Sequence, residues 1–188
     1  MDQTTALIVI DLQEAMRADR DAGYPWANPL APETAGRLIA AFRVAGLPVI
    51  HVHHSTDDPQ DGFHPDNSLA AAMPEVAPAA DEPVFVKHGS SGFIGTGLEA
   101  HLRSSGITAL VMAGGEANMC VESTVRMAGN LGFATTVVAD ALVNFQRTLR
   151  DGRVMPPELV LDMSLANMTS FARVTDSAAL LSELSHQP

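Results

Sequence analysis

A carboxylate, an ammonium and a thiol stand in this sequence where short apolar runs end. Asp11 closes Ala-Leu-Ile-Val-Ile-Asp, Lys87 closes Val-Phe-Val-Lys, and Cys120 follows the turn Ala113-Gly-Gly-Glu-Ala-Asn-Met. The thiolate is the nucleophilic form of cysteine and needs electrostatic help at neutral pH. If the three groups converge, Lys87 supplies positive charge, while Asp11 can accept the thiol proton and later pass it to a leaving amine. The spacing places Cys120 in the first turn of a helix running through Val121, Thr124, Val125, Ala128 and Leu131, where the helix dipole lowers a thiol pKa. The N–H groups of residues 115–120 precede or open that helix and can aim at a developing oxyanion, and Gly114-Gly115 favours an unusual turn. Each residue alone has a plainer reading: a lone cysteine packs in a core, a strand-end Asp caps a turn, and a Lys is solvated. Only their joint placement makes a nucleophilic site.

That placement depends on the elements between them. Runs rich in Val and Ile recur at 6–10, 48–52, 84–86, 108–112, 135–139 and 172–174, each bounded by turn residues. They lack the polar alternation of a half-exposed sheet and so read as strands buried on both faces. Helix-length segments lie between them, such as the one carrying Leu38, Ile39, Phe42 and Val44, stopped by Gly46 before Pro48. The pattern predicts a three-layer α/β/α sandwich around a mainly parallel, Rossmann-like sheet of about six strands, with residues 1–188 forming one domain. Ligands in such sheets bind beyond the carboxyl ends of the strands, where Asp11, Lys87 and Cys120 fall.

Composition removes several function classes. The 188 residues carry 22 acidic against 11 basic side chains, a net charge of −11 without a basic cluster, which repels nucleic acid and anionic membrane surfaces. The longest apolar runs are far too short to span a bilayer. A first segment without basic residues predicts a cytoplasmic protein, and a single cysteine cannot close an internal disulfide.

The chain resembles the isochorismatase-like hydrolases along nearly its whole length. The matching segments are Leu-Ile-Val-Ile-Asp11-Leu-Gln13; Lys87 with Ser91-Gly-Phe-Ile-Gly95-Thr96-Gly-Leu98; Gly114 with Cys120-Val-Glu-Ser-Thr124; and Val-Val-Ala-Asp140-Ala. The resemblance implies Asp11 as general base, Lys87 as stabiliser of the thiolate and intermediates, and Cys120 as nucleophile. It also implies a cis peptide before Glu116, with the N–H groups of Glu116 or Ala117 and of Cys120 turned toward the oxyanion. Gly115 and Ala117 depart from the bulkier apolar residue and the Thr frequent in that family, and Leu161 stands where a His is often seen. The implied reaction is hydrolysis of a small amide, carbamoyl or ureido C–N bond through a thioester, without a cofactor, by a homodimer or homotetramer. Two rivals stand beside it: a vinyl-ether hydrolase that uses Asp11 and Lys87 but needs no cysteine, and a non-catalytic ligand-binding member of the fold.

Substrate contacts are expected from Gln13 and Ser91 in the matching motifs, from the aromatics Trp26, Phe63 and Phe145, and from His53 or His54. The cluster His51, His53 and His54 with Asp57, Asp58 and His64 also invites a metal reading. Metal-binding nicotinamidases of the family instead carry an Asp-x-His pair with a later His, a pattern this chain lacks, so no metal is expected. Gly95-Thr-Gly97-Leu-Glu-Ala100 matches a dinucleotide fingerprint only formally, because Gly95 comes eight residues after Lys87 rather than tight against the strand. Those glycines read as helix-entry geometry.

Overall fold

The six apolar runs become six strands of one parallel sheet. In a computed structural model, which describes residues 3–185, β1 (Thr5–Ile10) leads through α1 (Glu14–Asp21), β2 (Trp26–Ala27) and α2 (Ala31–Val44) to β3 (Val49–His54). Then come β4 (Val84–Lys87), α3 (Leu98–Ser104), β5 (Ala109–Gly114), a wide helical turn at Ala117–Val121, and α4 (Glu122–Asn130). The chain ends in β6 (Ala134–Leu142), β7 (Asn144–Phe145), β8 (Arg147–Thr148), β9 (Val154–Met155), α5 (Pro157–Met168), β10 (Arg173–Thr175) and α6 (Ser177–Ser185). Residues 1, 2 and 186–188, part of the expected 1–188 unit, lie outside the described residues.

The sheet order is β4-β3-β1-β5-β6-β10, and every neighbouring pair is parallel. Strand β1 is buried along its whole length because its two faces meet different helices. Leu7 and Val9 pack with α1, α2 and α6, whereas Ala6, Ile8 and Ile10 pack with α3, α4 and α5. With a side-chain period of two, two-sided cover requires an unbroken apolar run rather than an alternating one. Full burial of each large aliphatic side chain contributes roughly 1.5–3 kcal/mol. Helix α2 stops where the pattern placed its end: Gly46 takes φ +66°, and the Leu47 N–H turns back to the Phe42 carbonyl at 2.9 Å.

The chain runs from β1 outward to β3 and β4, then crosses back through α3 to β5 on the other side of β1. The carboxyl ends of β1, β3 and β5 therefore border the point where the winding reverses, which opens a crevice. Two features escaped the apolar pattern: the two-residue antiparallel pairs β2–β7 and β8–β9, which lie over that rim. Among the described residues, no helix is long and apolar enough to cross a membrane.

Candidate active site

Asp11 is the first residue past β1. Its N–H still donates to the Val52 carbonyl at 2.8 Å, and its φ of +53° then bends the chain out of the sheet. Asp, with a short polar side chain, is one of the few non-glycine residues found readily in this left-handed region. Lys87 ends β4 in register with His54, the last residue of β3. Residues paired in register project to the same face, and here the Lys87 Nζ lies 3.4 Å from the His54 Nδ1.

Lys87 is fully buried, and its ammonium also reaches Asp11 Oδ2 at 2.6 Å and Cys120 Sγ at 3.2 Å. Its three protons thus meet three acceptors. A ring nitrogen facing an ammonium must accept, so the His54 imidazole is neutral with its proton on Nε2. Burial, and after it the Lys87 charge, hold His54 below its ordinary pKa. Asp11 Oδ1 is buried and makes no hydrogen bond of good geometry, although the Cys120 thiol and the His54 amide both act on the carboxyl.

Cys120 is half-buried, the most accessible of the three. It lies in the wide turn Ala117–Val121, in which the Val121 N–H reaches back five residues to the Glu116 carbonyl at 3.1 Å, and α4 begins only at Glu122. Cys120 thus stands in the opening turn of the helix, and the expectation is corrected only in that this turn is wider than an α-turn. Thr124, one turn on, donates its hydroxyl to the Cys120 carbonyl at 2.6 Å and accepts the Gly92 N–H at 3.0 Å, tying the turn to the loop after β4. The peptide between Gly115 and Glu116 is cis, as the resemblance implied.

The electrostatics correct a second expectation. The Cys120 thiol is pushed up to about 12, first by burial and then by the Asp11 charge, against the pull of Lys87. Burial likewise raises Asp11, with Lys87 opposing it. At rest the sulfur is therefore a thiol beside an ion pair. An ion pair taken wholly out of water is costly to build, so this one is better understood by its chemistry than by its stabilisation.

Ala117 cannot serve the oxyanion as expected, because its N–H is spent on the Val143 carbonyl at 2.9 Å. Glu116 and Cys120 remain as the candidate donors. The Glu116 side chain pairs with Arg147, a residue that the sequence did not single out because a lone Arg in a loop carries no pattern.

Two cavities adjoin the centre through its neighbours. One, of about 370 Å³, is lined by Gln13, His53, His54, Phe63, Pro65 and Val86 among others. The other, of about 530 Å³, is lined by Asp19, Tyr24, Glu116, Phe145, Gln146, Arg147 and Thr148. Thus His53, His54, Phe63 and Phe145 stand at the rim, with the His54 and Phe63 rings edge-on at 5.3 Å. Gln13 borders the first cavity, yet its amide is engaged by backbone: Nε2 donates to the carbonyls of His54 (3.1 Å) and Ala70 (2.7 Å), and Oε1 accepts the His54 N–H at 2.8 Å. Trp26, expected to contact substrate, is instead a buried member of β2 that lines neither cavity and stands edge-on to Phe145 at 5.9 Å. Ser91 is also buried, lines neither cavity and accepts the Phe93 N–H at 3.3 Å.

The histidine cluster splits: His51 bonds Glu82 Oε2 at 2.9 Å while His54 meets Lys87, so the side chains that invited a metal reading are drawn to separate partners. Among the described residues, no group of three or more His, Cys, Asp or Glu could hold a metal ion. Gly97 caps the start of α3, the helix-entry role foreseen for it.

The isochorismatase domain model matches residues 5–179. This chain belongs to the isochorismatase family. The crystal structure of a family hydrolase from Chromobacterium violaceum superposes with a TM-score of 0.93 at 40% identity, covering 99% of this chain and 96% of that one. The family protein YrdC of Bacillus subtilis is 33% identical over 97% of each chain. The ureidoacrylate amidohydrolase RutB of Methylobacterium radiotolerans is 31% identical over 96% of this chain and 80% of its own. Members of the isochorismatase family are hydrolases, and RutB is named for acting on an amide-type bond.

Proposed function

We propose that this isochorismatase-family chain is a cysteine-dependent amidohydrolase acting on a small amide, carbamoyl or ureido C–N bond. One observation carries the reading: the sulfur of the half-buried Cys120 lies 3.2 Å from an ammonium that is itself 2.6 Å from a buried carboxylate. The relationship to RutB supports the bond type.

A thiol held near 12 does not ionise ahead of the reaction. Deprotonation is therefore coupled to attack: as the Cys120 sulfur bonds the carbonyl carbon, its proton passes to Asp11, whose raised pKa makes it a competent acceptor. The carbonyl π pair moves onto oxygen, facing the N–H groups of Glu116 and Cys120. Collapse of this intermediate re-forms the carbonyl and breaks the C–N bond, and Asp11 returns the proton to the departing nitrogen. Water, losing a proton to Asp11, then attacks the thioester, and that proton restores the thiol when the acid leaves. Lys87 balances the carboxylate and the sulfur throughout, and the neutral His54, Phe63 and Phe145 border the substrate space.

Cys120→Ala should abolish release of ammonia or amine from an amide panel while leaving the circular dichroism spectrum and unfolding midpoint close to wild type. Wild-type protein should show an acyl adduct on Cys120 by mass spectrometry. Full turnover by Cys120→Ala would overturn the nucleophile assignment and leave a reaction that Asp11 and Lys87 perform alone, such as vinyl-ether hydrolysis.

A further inference from the structure

Residues 143–147 lie across the nucleophile turn and bind three of its backbone groups and two of its side chains. The Val143 N–H donates to the Gly114 carbonyl and the Val143 carbonyl accepts the Ala117 N–H, both at 2.9 Å. Asn144 is completely buried; its Oδ1 accepts the Asn118 N–H at 3.0 Å, and its Nδ2 donates to the Phe145 carbonyl at 2.9 Å. Arg147 pairs with Glu116 and reaches Asn118 Oδ1 at 3.4 Å. The strap is itself held. Asn144 and Phe145 form strand β7 against Ala27 and Trp26 of β2, and Asn28, just beyond, donates its amide to the carbonyls of Ala139 (2.8 Å) and Leu142 (3.0 Å) at the end of β6.

We propose that Asn144 is a positioning residue for the oxyanion donors, an inference that rests on the thioester reading above. Two consecutive peptide planes are fixed at both ends. In the plane joining Glu116 to Ala117, the N–H is bound by Val143, and the carbonyl accepts Met119 and Val121 N–H groups at 3.1 Å each. In the plane joining Ala117 to Asn118, the N–H is bound by Asn144, and the carbonyl accepts the Glu122 N–H. Without Asn144 the second plane loses this side-chain anchor, and the part-buried Asn118 N–H is left without its acceptor, so the turn is free to rotate toward another. Rotation moves the Cys120 N–H two residues on, whereas the Cys120 sulfur stays tied to Lys87 and its carbonyl to Thr124. The expected lesion is thus in donor aim, not in the nucleophile.

Two reactions of the same sulfur separate these effects. Acylation by p-nitrophenyl acetate passes through a tetrahedral oxyanion, whereas alkylation by iodoacetamide displaces iodide and develops none. Both are followed on Cys120 of the full-length protein by mass spectrometry, with Cys120→Ala as the control. Asn144→Ala should slow acylation about 10- to 100-fold relative to alkylation, a fraction of what removing an oxyanion donor outright costs. Asn144→Asp should recover part of the ratio as pH falls, because a protonated carboxyl again accepts from Asn118 and donates to the Phe145 carbonyl. An unchanged ratio in Asn144→Ala overturns the positioning role, whether both rates hold or fall together, and leaves the nucleophile intact. Wild-type protein that is alkylated but never acylated at Cys120 overturns the thioester reading itself, and this inference with it.

Discussion

Lys87 holds the site together, and its neighbours say what its loss should do. Lys87→Met would leave the Asp11 carboxylate buried without its counter-charge. Removing one partner of a buried ion pair typically costs about 3–5 kcal/mol. We expect a loss of that order, read from urea unfolding, together with at least a hundredfold drop in kcat/KM. Asp11 also sets the acid limb of activity. The general base must be ionised, and burial raises its pKa above the usual carboxylate range. The acid limb of kcat/KM should therefore lie above pH 3.8, the ordinary Asp value. An acid limb at or below 3.8 would remove Asp11 from that role.

At the scale of elements, the rim depends on two devices that hold strand ends rather than touch chemistry. Gly114 ends β5 at φ +136°, and a Cβ there would sit 2.1 Å from the Ile10 carbonyl oxygen, inside the β1–β5 ladder. The obstacle is backbone and cannot rotate away, so Gly114→Ala should part the two strands that carry Asp11 and lead to Cys120. We expect little soluble folded protein, or a large drop in thermal midpoint. Gly115→Ala is the milder contrast, because the new methyl would meet the flexible Met16 thioether at 3.0–3.1 Å and the Val143 Cβ at 3.2 Å, contacts that require shifts of a few tenths of an ångström rather than a break in the ladder. Gln13 clamps the end of β3 to the loop after it through three backbone bonds. Gln13→Leu leaves those groups unpaired and should cost roughly 2–4 kcal/mol. If Gln13 instead contacts substrate, KM will rise with stability unchanged, and the same unfolding experiment decides.

For the whole molecule, the clearest linkage to pH comes from a histidine outside the nucleophilic centre. Burial, and next the neighbouring His51, lower His53 from 6.5 to about 4. Between these values the unfolded chain binds a proton that the folded one does not, so stability falls as pH drops from about 6.5 to about 4 and this contribution is flat below. His53→Gln should flatten that part of the curve of unfolding midpoint against pH. An unchanged slope would show that another group carries it.

What the sequence determined alone was everything that depends on local pattern: six strands, the helices between them, and the fact that Asp11, Lys87 and Cys120 stand at or just past strand ends; the burial it expected of all six fails at the sheet edges, where Val84 and Val86 of β4 are exposed and β10 is only partly covered. A parallel sheet brings strand ends to one side, so convergence followed from topology. The tertiary structure decided what depends on desolvation and on segments distant in the chain. The rise of the Cys120 pKa comes from burial beside Asp11, and burial has no local signature. Likewise the engagement of the Ala117 N–H, the clamp made by Gln13 and the strap through Asn144 join residues more than 20 positions apart. The three candidate catalytic side chains were legible because a carboxylate, an ammonium and a thiol occur together at strand ends; the ones that aim them are ordinary amides whose partners exist only once the chain has folded.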